Sequence, residues 1–143
     1  MFNNILLTID LTEDASWKKA LPQAVEMARA SNGTLHIVTV VPDYGMPLVS
    51  GFFPEDHREK SLAEAKKLLK VIVDENVPDD IKSDAHVRYG PLHEKVMDTI
   101  DRVKPDLVVM ASHRPNKMRE FFVGTQADRV VRHSPVSVLV VRA

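Results

Sequence analysis

Leu107-Val108-Val109-Met110-Ala111, continuing into Ser112-His113-Arg114 and, after nine intervening residues, Gly124-Thr125, decides the fold. Five apolar residues in a row have the length of a strand, and their unbroken apolarity means cover on both faces, as in a parallel sheet. Hydroxyl, imidazole and guanidinium groups follow, and then a helix start. A strand, a donor-rich loop and a helix N-terminus make a pocket suited to phosphate, because the first helical N–H groups are free and the helix end is partly positive.

Outward from this stretch the same pattern repeats. Ile5 to Ile9, Leu35 to Val41 and Val136 to Val141 are also predominantly apolar, without polar–apolar alternation. Ser83 to Tyr89 instead alternates through Ala85, Val87 and Tyr89, which predicts a strand at a sheet edge. Between the strands lie apolar stripes at helical spacing: Leu62, Ala65, Leu69 and Ile72, and then Leu92, Val96, Ile100 and Val103. A third stripe holds Trp17, Leu21, Ala24, Val25 and Ala28, with Pro22 inside it. Proline cannot donate to the preceding turn, so a kink or a late helix start is expected there. Gly90-Pro91 ends the third strand, and Lys104-Pro105-Asp106 breaks the helix before the fourth.

The resulting order is βαβαβαβαβ. It predicts an α/β fold over residues 1–143 as a single domain: an open, doubly wound, five-stranded parallel sheet, Rossmann-like, in the order 3-2-1-4-5 with helices on both faces. Ligands of such sheets bind beyond the strand carboxyl ends where the order reverses. The first and fourth strands meet at that reversal, which brings Asp10 towards the Ser112 loop.

Composition narrows the function. With 19 basic and 20 acidic residues the formal charge is −1, so no global field recruits nucleic acid or an anionic membrane. The chain has no cysteine, which excludes disulfides, thiol catalysis and thiolate metal sites and suits a cytoplasmic protein. No apolar stretch approaches the roughly 20 residues that cross a bilayer. The six histidines show neither an HExxH pair nor ligand spacing on one helical face, so no metal site made by protein alone is expected. Walker A and GxGxxG motifs are absent; Asp10-Leu11-Thr12-Glu13 stands after the first strand. Ser112 and His113 make a poor catalytic pair, being sequence neighbours with no elbow motif around them.

Each pocket residue also has a structural role to weigh. Thr125 can be the N-cap of the last helix, with Asp128 at the capping-box position, and Gly124 permits close backbone approach. Asp10 can cap the turn before Thr12. Pro42 to Pro54, with Tyr44, Met46, Leu48, Val49, Phe52 and Phe53, is a long apolar connection that serves as a lid, as a partner surface or as packing on its own domain.

An Asp after the first strand, a Gly before the third helix, the Ala111 to Thr125 spacing, Arg132-His133-Ser134-Pro135 and a Val-rich terminal strand together resemble the universal stress protein family over essentially the whole chain. Nucleotide-binding members carry Gly-x-x-Gly, nine residues, then Gly-Ser or Gly-Thr. Here Ala111 and Arg114 occupy the two glycine positions, while Gly124 and Thr125 match. Ala111 adds only a methyl group. Arg114 precedes Pro115, which pushes it towards extended conformations and away from a left-handed turn, although its guanidinium can meet phosphate in a bidentate fashion. Ser112-His113-Arg114-Pro115 is similar to a variant in one branch of the family.

The resemblance implies bound ATP or AMP, with Mg²⁺ as an optional companion, in a stress-response module with at most slow hydrolysis. Asp10 and the backbone of Val40 would address the nucleoside. Gly90, Ala111, Ser112, His113, Arg114, Gly124, Thr125 and Gln126 complete the binding set, with Ser112 to Arg114 and Gly124 to Gln126 around the phosphates. It also implies a homodimer through Val136 to Val141, consistent with an apolar edge strand that invites pairing. The rival is a dimeric interaction module of the same fold that does not bind nucleotide.

Overall fold

The computed structural model describes residues 1–42, 54–112 and 125–142. Its strands are β1 (Asn4–Ile9), β2 (Thr34–Val41), β3 (Lys82–Tyr89), β4 (Leu107–Ala111) and β5 (Ser137–Val141). Its helices are α1 (Ala20–Ser31), α2 (Pro54–Asn76), α3 (Leu92–Val103) and α4 (Thr125–His133), with a 3₁₀ turn at Asp14–Ser16. The five strands are parallel and run β3-β2-β1-β4-β5 across the sheet, the predicted order.

Strand pleating sorts the core into two layers. Ile5, Leu7, Ile9, Leu35, Ile37, Leu107 and Val109 pack with Leu21, Ala24, Val25 and Ala28 of α1 and Leu69 of α2. On the opposite face Leu6, Val38, Val108 and Met110 pack with Val96 and Ile100 of α3 and with Ala127 and Val130 of α4. Successive residues thus face opposite layers, which is why the central strands read as predominantly apolar runs without alternation.

Several boundaries have local causes. Pro22 is the third residue of α1, where its missing N–H is among those without an intrahelical partner, so the late start holds. Asn32 closes α1 in the left-handed region (φ 51°), and a Cβ on the next residue, Gly33, would sit 2.7 Å from the carbonyl oxygen of Phe2. The break after α3 is a left-handed Lys104 (φ 52°) followed by buried Pro105. Asp106 then accepts the N–H groups of Asn3 and Asn4 at 2.8 and 3.1 Å, tying the start of β1 to β4.

Three expectations need adjustment. The last strand begins at Ser137, because the Val136 N–H donates to Ser134 Oγ (3.1 Å) in a local turn. Leu92, at the first position of α3, is 40% exposed and only Val96 and Ile100 of its stripe are buried. In β3 the alternation of burial fails: Lys82 to Ala85 are all exposed, and His86 to Tyr89 are half-buried. As an edge strand, β3 has its cover only over its second half.

Candidate functional site

The strand order reverses at β1, which pairs with β2 on one side and β4 on the other. The register matches Ile9 with Thr39, Leu7 with Val109 and Ala111 with Val141, so the carboxyl ends of β2, β1, β4 and β5 line up. Asp10, Ala111 and Ser112 thereby sit on adjacent strand ends, with Val40 on the next strand. This is the crevice in which an open α/β sheet takes its ligands.

Asp10 is exposed and organises the turn after β1. Its Oδ1 accepts the Thr12 N–H (2.9 Å) and the Thr12 hydroxyl (2.7 Å), and its own N–H donates to Ser16 Oγ at 2.8 Å. Of its two expected roles the structure displays the turn cap. Val40 is half-buried against the layer formed with α3 and α4. Ser112 is 3% exposed, and its N–H donates to the Val141 carbonyl at 2.7 Å, which fixes where the chain leaves β4.

At the far side, α4 begins with Thr125 as its first helical residue. Asp128 accepts from Arg132 Nε at 3.0 Å, a contact one turn along the helix; the expected capping box rests on the Thr125 side chain, which lies outside what the structure describes. Gln126, at the second position of α4, has a buried Oε1 with no hydrogen-bond partner among the described residues. A buried acceptor without a partner is costly, and a ligand donor or water there would relieve it.

Gly90 stands apart, at the end of edge strand β3 and two strands from β1. Its φ of 136° is a conformation that side-chain-bearing residues rarely adopt, and its N–H donates to the Val41 carbonyl at 3.0 Å. The turn into α3 therefore demands glycine whether or not a ligand is near. Beside it the Arg58 guanidinium lies 5.0 Å from the centre of the Tyr89 ring, holding α2 over the end of β3. His113, Arg114 and Gly124, like most of the Pro42 to Pro54 connection, lie outside the described residues.

Two histidine pairs escaped the search for ligand spacing on helices. His36 and His86 face each other across β2 and β3 with Asp84 beside them, and His93 of α3 meets His133 of α4 edge to face at 5.5 Å. Burial, followed by the neighbouring His86, holds the His36 pKa below the ordinary histidine value, with Asp84 opposing. Burial, then Arg129 and His133, lowers that of His93, whose Nδ1 is buried without a partner among the described residues. The signal that could have found the first pair is the spacing Asp84-x-His86, which is a same-face pair in a strand.

Residues 1–142 match the family model described as the universal stress protein family. The chain belongs to that family. Universal stress protein G of Escherichia coli O157:H7 is 28% identical to it, over 99% of this chain and all of that protein. The universal stress protein UspA structure from Lactobacillus plantarum superposes with a TM-score of 0.72 at 22% identity, covering 98% of this chain and 97% of that one. A universal stress protein family protein from Arabidopsis thaliana, solved with AMP bound, superposes at 0.67 with 18% identity, covering 98% of this chain and 91% of that one. Among the described residues of this universal stress protein no helix is long and apolar enough to cross a membrane.

Proposed function

We propose that this universal stress protein binds an adenine nucleotide, ATP or AMP, in the crevice between the ends of β1 and β4 and serves as a stress-response signalling or regulatory module. The observation that carries the reading is the strand reversal itself, with the start of α4 and an unsatisfied buried Gln126 Oε1 presented after the loop that leaves β4. The AMP bound to the Arabidopsis relative supports the choice of ligand. Asp10 and Val40 address the nucleoside. Ser112, His113, Arg114, Gly124, Thr125 and Gln126 surround the phosphates, Ala111 borders them, and Mg²⁺ accompanies ATP. Hydrolysis is at most slow.

The protein works as a cytoplasmic homodimer through β5, with neither nucleic acid nor membrane as partner; a net charge of −1 and zero cysteines support that setting. A second reading, a dimeric interaction module without nucleotide, draws on Ala111 and Arg114 standing where nucleotide-binding relatives carry glycine.

A thermal-shift titration separates the two. Saturation with AMP or ATP at a hundred times the dissociation constant adds about 2.7 kcal/mol, a rise in Tm of about 5 to 10 °C for a chain of this size. No shift with either nucleotide selects the interaction module. Arg114→Ala then probes the loop: weaker binding of ATP than of adenosine by comparison with the parent means that the guanidinium meets phosphate.

A further inference from the structure

His36 on β2 and Asp84 on β3 are register partners, and His86 follows Asp84 by two residues, so all three side chains stand on one face of the sheet. His36 Nδ1 lies 3.1 Å from His86 Nε2, and that nitrogen lies 3.7 Å from Asp84 Oδ2. One donor atom from each residue falls within 4.8 Å of the other two. We propose that His36, Asp84 and His86 bind a divalent transition-metal ion, with zinc as the representative, and that the ion clips edge strand β3 to β2.

The donor set and its spacing both fit. Two imidazoles and one carboxylate are a set zinc accepts while keeping a fourth position open. Zinc–nitrogen bonds of about 2.0–2.1 Å in a tetrahedron put neighbouring ligand atoms about 3.3 Å apart. The observed 3.1 and 3.7 Å lie on either side of that value. Asp84 is exposed, so its carboxylate can swing in to close the set, while the half-buried rings of His36 and His86 fix the other two corners. Magnesium and calcium prefer six or more oxygen ligands, and two nitrogens select against them.

Proton balance is simple. Without an ion, the short approach of the two rings is an N–H···N hydrogen bond between neutral imidazoles, one donating and one accepting. Binding needs a lone pair from each, so the donating ring moves its proton to its other nitrogen, and Asp84 is already a carboxylate. No oxidant, reductant or leaving group takes part.

The place is distinct from the nucleotide crevice. His36 precedes Val40 by four residues, about 13 Å along an extended strand, towards the opposite end of the sheet.

The test uses the full chain, stripped with a chelator, free of nucleotide and titrated with Zn²⁺ alone by calorimetry, with Co²⁺ as an optical probe. One ion per chain is expected, with visible Co²⁺ absorption of a four-coordinate site. Asp84→Asn, at an exposed position, and His36→Ala should each weaken binding at least about tenfold, the lower end of what losing even an outer-sphere partner costs. His133→Gln should leave affinity unchanged. The proposal is overturned by absence of Zn²⁺ binding up to millimolar concentration, by undiminished affinity in Asp84→Asn and His36→Ala, or by loss of binding in His133→Gln. Because no nucleotide is present, failure here leaves the crevice reading untouched, and failure of the nucleotide titration leaves this one untouched.

Discussion

At one edge of the sheet β3 presents Lys82, Asp84, His86 and Arg88 on a single face, and at the other β5 reads Ser137-Val138-Leu139-Val140-Val141. Both strands leave one row of backbone groups without a neighbour in the sheet, but only β3 lines that edge with charge. Charged residues discourage a second chain from adding to the edge, and an apolar strand invites it. Topology made both strands edges; side-chain chemistry gives them different fates. The β3 side is where the metal site is proposed, and the β5 side is where the proposed dimer would form.

The largest expected effect breaks that contrast at β5. The Val141 carbonyl accepts from Ser112, so Val141 turns its backbone groups towards β4, and alternation turns those of Val138 and Val140 outward. Val140→Pro therefore removes an outward donor without costing a bond within the sheet, a place where edge strands tolerate proline. If the parent is the proposed β5 dimer, light scattering should show its mass halved while circular dichroism stays native. On β3 the Gly90 N–H faces β2, which by the same alternation turns Ala85 outward. Ala85→Pro should leave the mass unchanged. A Val140→Pro protein that remains dimeric would move the interface away from β5.

How far these edges could be read beforehand differs. Strand order and both edge positions were legible, because apolar runs such as Leu107 to Ala111 mark strands covered on both faces and the crossover rule leaves few arrangements. The crevice was legible as a place, since it follows from that order. Its details were less so: the Asp10 carboxylate bonds the Thr12 N–H and hydroxyl, a turn-capping role that the sequence offers beside a ligand role without deciding between them. The His36–Asp84–His86 group escaped because its members meet only across two strands separated by a whole helix. Its register depends on the pairing of Thr34 with Lys82, which the one-dimensional pattern does not contain.

A smaller effect sharpens the comparison at β3. Arg88 reaches from the strand to Asp98 of α3 at 3.0 Å, with its side chain 18% exposed and that of Asp98 44% exposed. The pair ties the charged edge to the helix that covers it. Because Asp98 keeps contact with water, Arg88→Ala should cost about 1–2 kcal/mol, nearer a charge-assisted hydrogen bond than a fully buried ion pair. Urea unfolding should register this as a lower midpoint at an unchanged slope. A change indistinguishable from zero would mean that β3 is held by its backbone ladder alone.

The smallest effect lies between α3 and α4, which cover one face of the sheet, where His93 faces Arg129 and His133. Burial first, then Arg129 and then His133, hold the His93 pKa below its ordinary value of 6.5. A base that resists protonation only when folded leaves the unfolded chain binding more protons, so stability is full above about pH 6.5 and declines as the pH falls through it. His36 on β2 carries the same sign. His93→Leu removes one contribution together with a buried Nδ1 that has no partner among the described residues. Unfolding free energies measured at neutral and at mildly acidic pH should therefore differ less in His93→Leu than in the parent, with a residual slope that His36→Gln reduces further. An undiminished slope in the double variant would assign the pH sensitivity to other groups, and the two histidine pairs would then differ in geometry but not in their response to protons.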